Sequence, residues 1–475
     1  MADKKTKFSS LVEKVKEASK RLIIEQIVTI LPSISKNNFV RILSLYEKIS
    51  SGETKKVIAA VKKTFKDSIA GDLIVRGIKA TNAKARKKIA VDLIADGMIL
   101  RDKKRREEES KGGFVPFTVL FSPTMRCNLR CKGCYAGNYS QDDDLPYEVI
   151  DRMVTEAEEM GVAFMTVLGG EPFMWEPLFK LLADHPHMYF QIYTNSTMLN
   201  KERVKKIKKL GNAALMLSIE GFEKETDERR HPGIYKKILA AMDLLREEKV
   251  PFGYSVAVTQ QNEPVVTSDE FIDLMIEKGA LIGWMFLYMP MGMDPDLSLM
   301  PTPEQRLHML EFNKRIRQTK PILVIDFWND APFVGGCIAG KYYLHITSEG
   351  WVEPCIFSHI AQDNIKEKSL REVMRSELFS ELRKRQPYND NLFLPCMWID
   401  NPEISRDLHA KLDLHLTHPG ADDVLKKDHL KEGMNKYSKK VKELYEKEWA
   451  EEKEAMEKRG GVSDRLMKKL GNDQN

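Results

Sequence analysis

The six cysteines of this 475-residue chain fall into two groups of three: Cys127, Cys131 and Cys134 in the run MRCNLRCKGCYAG, and Cys337, Cys355 and Cys396 far downstream. Thiolates separated by three and then two residues on one loop can each take one iron of a [4Fe–4S] cube. The fourth iron is then left without a protein ligand and open to a small molecule. Zinc is the competing reading, but its structural sites favour four protein ligands at CxxC or CxxH spacings. A three-residue gap before a two-residue gap, directly after the apolar run Phe117 to Phe121, suits a strand that feeds a cluster loop.

The elements that must position such a loop are legible around it. From about residue 116 to 320, apolar runs alternate with helical patterns at 146–160, 176–184, 200–210, 234–248, 267–279 and 303–319. That alternation predicts about six strand–helix units, with parallel strands joined by right-handed crossovers. Polar motifs sit where these strands should end, the edge at which such sheets bind ligands. Ala163–Leu168 runs into Gly169, Gly170, Glu171 and Pro172, and Tyr189–Thr194 into Asn195 and Ser196. Ala213–Ile219 carries Ser218 and leads to Glu220 and Arg230, and GYSVAVTQQN carries Val256 and Val258. Paired glycines let a backbone approach a ligand closely. Met165, Met216 and Met289 read as core, since methionine fills irregular gaps.

CxxxCxxC followed about 35 residues later by GGEP resembles the radical SAM superfamily. In that family S-adenosylmethionine chelates the open iron through its amino and carboxylate groups, and the reduced cluster cleaves the sulfonium to a 5′-deoxyadenosyl radical. The resemblance implies an α/β fold: a partial (β/α)6 barrel with an N-terminal helical domain and a C-terminal region of β-hairpin and helices around an auxiliary cluster. It further implies that Glu171 accepts a hydrogen bond from the SAM ammonium, in a loop shaped by Gly169, Gly170 and Pro172. Asn195 would lie beside it, Ser218 and Glu220 would face the ribose hydroxyls, and Arg230 the SAM carboxylate. Val258, or Val256, would support the adenine. A ferredoxin or flavodoxin would supply the electron. The chain departs mildly from the family in having Gly133 before the third cysteine, where an aromatic residue is common.

Downstream, GGCIAGKYYLHITSEGWVEPC alternates around Ser348-Glu349-Gly350 and reads as a β-hairpin with a glycine turn. Cys337, Gly350 and Pro354-Cys355 resemble the start of the SPASM and twitch extensions of radical SAM enzymes, with Cys396 as a third thiol. Full SPASM domains carry seven cysteines for two clusters; three imply a shorter, twitch-like version with one auxiliary [4Fe–4S] cluster. Its fourth ligand is open between substrate, water and a side chain such as His359, and a zinc site or three unconnected core thiols is the alternative.

Residues 1–113 hold 27 Lys+Arg against 14 Asp+Glu, a net +13, so the remaining residues carry +5 − 13 = −8. Apolar stripes at helical spacing run through this basic part: Leu11, Val15, Ala18 and Leu22; Phe39, Ile42, Leu43 and Tyr46; Ile58, Val61, Phe65 and Ile69. Basic amphipathic helices are drawn to anionic lipid by about 1 kcal/mol per basic residue near the surface. Phosphates of nucleic acid would attract them too, but nucleic acid is not expected, since a binder needs no open-site cluster. The divisions expected are a basic helical domain over 1–112, the barrel over 113–322, the auxiliary-cluster region over 323–400 and a charged helical tail over 401–475. The tail reads as a helix packed along the barrel, with His409, His415, His418 and His429 at the surface. No apolar run approaches the ~20 residues of a membrane span, and cysteines without signal-peptide features point to the cytoplasm, with peripheral membrane contact at most. Oxygen-sensitive clusters suit an anaerobic setting. Radical chemistry at an unactivated C–H bond fits a lipid or other long apolar substrate; a peptide or protein, as in SPASM-type maturases, is the alternative.

Overall fold

Seven strands follow one another in the chain and all run in the same direction, because helices return the chain across the sheet between them. The structure is a computed structural model that describes residues 36–49, 59, 62–63, 65–66, 68–100 and 102–458. The strands are β1 (Thr118–Phe121), β2 (Phe164–Val167), β3 (Phe190–Thr194), β4 (Ala213–Ser218), β5 (Phe252–Val258), β6 (Ile282–Leu287) and β7 (Leu323–Asp326). Two more complete the sheet, β8 (Tyr343–Ile346) and β9 (Val352–Glu353), in the order β7-β6-β5-β4-β3-β2-β1-β8-β9. A separate antiparallel pair joins β10 (Ile360–Ala361) to β11 (His415–Leu416).

Six units were expected and a seventh strand is present. β7 follows the helix Pro303–Thr319 and lies just beyond the boundary placed at residue 322; it is four residues long and opens on an exposed Leu323, so it carries little periodic signal. The hairpin forms as expected, with His345 opposite Glu353 and Ile346 opposite Val352. Its first strand also pairs parallel to β1, Thr118 with Tyr343 and Phe121 with Ile346, so the auxiliary region extends the barrel sheet rather than standing apart. The sheet curls far enough that Phe327, just past β7, meets Tyr343 of β8 with ring centroids 6.1 Å apart. Helices cover the outer face; in Tyr147–Met160 the residues Ile150, Met153, Val154 and Ala157, at helical spacing, pack into one core with Val119, Phe121 and Met165.

The N-terminal helices Ile69–Ala80, Ala83–Lys88 and Asp102–Ser110, with a wider helical segment over Ile89–Leu100, lie across the end where the strands begin. Arg76 donates to the carbonyls of Ala280 (2.8 Å), Pro321 (3.1 Å) and Ile276 (2.7 Å). Asn82 reaches Lys249 O at 2.9 Å, Lys88 bonds Pro186 O, and Arg105 reaches Gly161 O at 3.3 Å. Most of these carbonyls sit just ahead of β2, β3, β5, β6 or β7. The stripe at Leu11–Leu22 lies outside the described residues, as do Ile58 and Val61. At the other terminus the expected helix spans Asp428–Lys458 and packs along Pro303–Thr319, where Leu310, Phe393, Val441 and Tyr445 form a second core. Among the described residues no helix is long and apolar enough to cross a membrane.

Arg76 ties helix Ile69–Ala80 to β6 and β7 through three charge-assisted hydrogen bonds. Arg76→Ala should cost about 2 kcal/mol, as hydrogen bonds to charged groups do, and limited proteolysis should cut residues 69–110 faster while leaving the barrel intact.

Candidate active site

After β1 the chain turns through Ser122–Arg126 into the first cysteine loop, and this turn is bolted to the glycine loop after β2. Gly170 N donates to Thr124 O at 3.0 Å and Glu171 N to Arg126 O at 2.9 Å. A Cβ on Gly169 would fall 2.2 Å from Thr124 O, and one on Gly170 2.2 Å from Arg126 O. The two glycines are therefore required by the close approach of two protein loops, where the sequence suggested approach to a ligand. Both also line the cavity that fills the curled sheet.

That cavity holds about 350 Å³, and Cys127, Cys131 and Cys134 stand on its wall at the ends of the strands. Burial pushes the Cys127 thiol up to about 11 and raises Cys134 as well, while Arg229 and Arg230 pull Cys134 back. Arg230 Nη1 is 4.0 Å from Cys131 Sγ, and Asn195 Nδ2 is 3.8 Å from Cys127 Sγ. Soft thiols beside two guanidinium groups form a donor set that fits an iron–sulfur cube, whose thiolate ligation is anionic.

The remaining expected site residues separate into those that face the cavity and those that hold its wall. Asn195, Ser218 and Arg230 line it. Glu220 does not: it is fully buried and accepts from Arg229 (2.5 Å), from Arg230 (2.9 and 2.6 Å) and from Ala257 N (3.2 Å), so it aims the arginines instead of facing a ribose. Glu171 is likewise filled by protein donors, Asn195 N and Thr194 Oγ1 at 2.8 Å and Phe173 N at 3.2 Å. Burial raises its pKa against those bonds, through which the carboxylate fixes the Thr194-Asn195 turn. Pro172 is buried at the start of a short 3₁₀ turn behind it. On β5 it is Val256, with Ser255 and Ala257, that lines the cavity; Val258 is buried away from it.

The second cysteine group gathers behind the aromatic wall. Tyr343 donates to Cys355 Sγ at 2.6 Å and itself lines the cavity. Cys337 and Cys355 lie within each other's electrostatic reach, Cys337 also bears on Cys396, and the buried phenol of Tyr388 feels all three thiols. Burial pushes Cys337 up to about 11 and Cys355 to about 12. Cys396 is fixed through its backbone, which donates to Asp400 at 3.0 Å, and Asp400 is clasped by the fully buried Arg306 at 2.5 Å. Among the described residues no three His, Cys, Asp or Glu side chains close on a point that would hold a single metal ion. Thiolates that each bind a different iron of a cube stand farther apart than that, and raised thiols need a metal to displace their protons.

His359 Nδ1 is engaged elsewhere, while its buried Nε2 has no hydrogen-bond partner among the described residues. The residue sits in a buried cluster that sequence reading did not find: its Nδ1 is 2.6 Å from Tyr139 OH, which is 2.5 Å from Glu353 Oε1, while His345 Nδ1 meets Glu353 Oε2 at 2.6 Å. Burial alone would raise Glu353, but the bonds from His345 and His359 hold it down at about 2. His418, expected at the surface, is buried here with its ring 4.4 Å from that of His359; His429 and His415 are exposed and His409 half-buried. Histidines far apart in sequence and without shared spacing gave no signal that they would meet.

The Arg306–Asp400 pair predicts a specific failure. Arg306→Met should destabilise the chain by about 3 kcal/mol by stranding a buried carboxylate. Iron measured after anaerobic reconstitution should fall while the Cys127 group keeps its share.

Known proteins resemble this chain in sequence and fold. Residues 121–274 match the radical SAM superfamily and residues 337–397 the SPASM iron–sulfur cluster-binding domain. An AdoMet-dependent heme synthase of Methanosarcina barkeri is 24% identical over 299 residues, 57% of this chain and 85% of its own length. A PqqA peptide cyclase of Granulibacter bethesdensis is 25% identical over 313 residues, 61% of this chain and 81% of its own. In fold, Streptococcus suis SuiB bound to S-adenosylmethionine superposes with a TM-score of 0.53 at 20% identity, over 60% of this chain and 73% of SuiB. With both thiol groups seated in such a fold, the chain is a radical SAM enzyme with a SPASM-type extension, using a [4Fe–4S] cluster, S-adenosylmethionine and auxiliary iron–sulfur.

Proposed function

We propose that this enzyme abstracts a hydrogen atom from an uncharged, apolar stretch of its substrate, a lipid chain above all, held inside the curled sheet. The observation that carries this is the cavity wall. Phe117, Phe164, Trp284, Phe286, Phe327 and Phe357 supply much of it, and among the described residues no Asp, Glu, Lys or His lines it; the charged groups among them are Arg130, Arg229 and Arg230, all at or beside the cysteine loop. A charged substrate group deeper in the barrel would be buried without a partner, at a cost of several kcal/mol.

When bound, the cluster and S-adenosylmethionine supply a 5′-deoxyadenosyl radical by one-electron cleavage of the sulfonium. Cys127, Cys131 and Cys134 would hold the cube, Arg230 would meet the SAM carboxylate with Glu220 fixing its angle, and Asn195, Ser218 and Val256 would line the nucleoside's bed. The carbonyl lock on Gly170 and Glu171 keeps that bed at a fixed distance from the thiols. The aromatic wall excludes water from the reacting carbon. Cys337, Cys355 and Cys396 would hold one auxiliary [4Fe–4S] cluster, reached from the cavity through Tyr343 and able to accept an electron, which favours SAM as a consumed oxidant. A ferredoxin or flavodoxin would reduce the first cluster. The basic residues 1–112 support peripheral contact of a cytoplasmic enzyme with an anionic membrane, and we retain the tail from 401 as a separate buttress.

The peptide reading draws on relatives named PqqA peptide cyclase and sporulation killing factor maturation protein SkfB. A peptide's amides would need partners, and low on the wall Thr118 is paired with Thr166 at 3.2 Å and Gln191 with Tyr193 at 2.7 Å, which leaves the buried Trp284 Nε1 there as a donor without a partner among the described residues.

Reconstituted wild type reduced with dithionite should convert SAM to 5′-deoxyadenosine, and replacing Cys127, Cys131 and Cys134 by Ala should abolish it; a full cluster with no 5′-deoxyadenosine would sink the reading. Iron should fall from about eight to about four per chain when Cys337, Cys355 and Cys396 are replaced, at four irons per cube. Lipidomics of a deletion strain should reveal a missing lipid product, and a missing modified peptide would favour the alternative.

A further inference from the structure

The cavity is not confined to the cluster end. It reaches Phe117, Thr118 and Phe164, which stand where β1 and β2 begin, and Phe117 is also 38% exposed to the outside. From Phe164, the first residue of β2, to Gly169, two residues past its end, is five residue steps, at most about 17 Å at ~3.3 Å each. That is close to the hydrocarbon depth of one leaflet, half of a ~30 Å bilayer core.

The surface around that opening has a consistent chemistry. Of the seven exposed large apolar residues among the described ones, four, Ile74 (42%), Ile94 (44%), Phe117 and Leu323 (41%), belong to strand starts or to the helices laid across them; Phe333 (55%) and Val334 (41%) lie past the end of β7, and Leu45 (63%) is on the helix Lys36–Ile49. Arg76 places the helix of Ile74 on the carbonyls before β6 and β7. A Cβ on Gly97 would fall 2.9 Å from Ala163 O, which places the segment of Ile94 on the start of β2. Exposed lysines share this end: Lys84, whose side chain packs on Gly211 just before β4, with Lys209 in the last turn of the helix before β4 and Lys249 on the loop before β5. Scattered surface apolar residues are ordinary, but apolar residues beside lysines around an opening into an apolar cavity suit an anionic bilayer surface.

We infer that the strand-start end of the barrel docks on an anionic membrane and that an acyl chain passes from the bilayer past Phe117 into the cavity, reaching the radical from the end opposite the clusters. This rests on the apolar-substrate reading and adds to it a face and a direction. The cluster end then stays turned to the aqueous side, where an electron donor can reach it.

The test uses full-length reconstituted enzyme with two photoactivatable probes: phosphatidylglycerol carrying a terminal diazirine in phosphatidylcholine vesicles, and a soluble diazirine fatty acid. Labelled peptides are mapped by mass spectrometry. The vesicle probe should label peptides containing Phe117, Phe164 or Trp284, and Ile74→Glu with Ile94→Glu should cut that label about tenfold while leaving the soluble probe's interior label and SAM cleavage unchanged. Raised salt should weaken vesicle binding, and purely zwitterionic vesicles should fail to hold the protein. Interior label from vesicles that is indifferent to the double variant, label confined to other faces, or retention by RNA in place of anionic vesicles would overturn the inference while the soluble probe still reports an apolar substrate site. Absence of interior label from both probes would overturn the apolar-substrate reading as well.

Discussion

Two backbone hydrogen bonds, from Gly170 N and Glu171 N to the carbonyls of Thr124 and Arg126, decide where the chemistry can happen. They join the loop after β1, which carries three thiols, to the loop after β2, whose Gly169 and Gly170 line the cavity. Only glycine fits the approach, since a Cβ on Gly169 or on Gly170 would lie 2.2 Å from a carbonyl oxygen. Glu171 then extends the lock to a third strand by accepting from Asn195 N and Thr194 Oγ1. Three strand ends thus form one rigid rim, and a rigid rim is what a reaction steered by distance requires.

Buried charge is the second constraint, and in each case it is answered by a partner. Glu220 lies under two arginines, Arg306 under Asp400, and Glu353 under two histidines. Desolvating such groups costs several kcal/mol each, so these pairs contribute little net stability; what they do is fix position, because loss of one partner strands the other. Glu220 fixes Arg230 beside Cys131, Asp400 fixes the backbone of Cys396, and Glu353 joins Tyr139 of the first cysteine loop to the hairpin that carries Cys355. The two thiol groups are thereby held in one frame, with the aromatic cavity between them.

Much of this was legible in the sequence because the signals were local. CxxxCxxC and GGEP are short patterns whose residues act within one loop, and strand–helix alternation is a periodicity. The hairpin at Ser348–Gly350 was legible for the same reason, a turn between alternating runs. What escaped was long-range. β7 is too short to show a period, and the parallel pairing of β8 with β1 joins segments more than 220 residues apart. Glu220 and Glu171 were recognised as site residues, but a motif does not say whether a carboxylate faces a ligand or a neighbouring arginine, since that depends on which donors the fold delivers. His359 and His418 meet only because β10 pairs with β11.

The most direct measurement of the central claim is the fate of a substrate hydrogen. Reconstituted, reduced enzyme would be incubated with SAM and anionic vesicles whose acyl chains are perdeuterated, and the 5′-deoxyadenosine analysed by mass. Abstraction from a chain held in the aromatic cavity predicts 5′-deoxyadenosine carrying one deuterium. 5′-Deoxyadenosine produced in quantity, with those chains present and no deuterium incorporated, would contradict it.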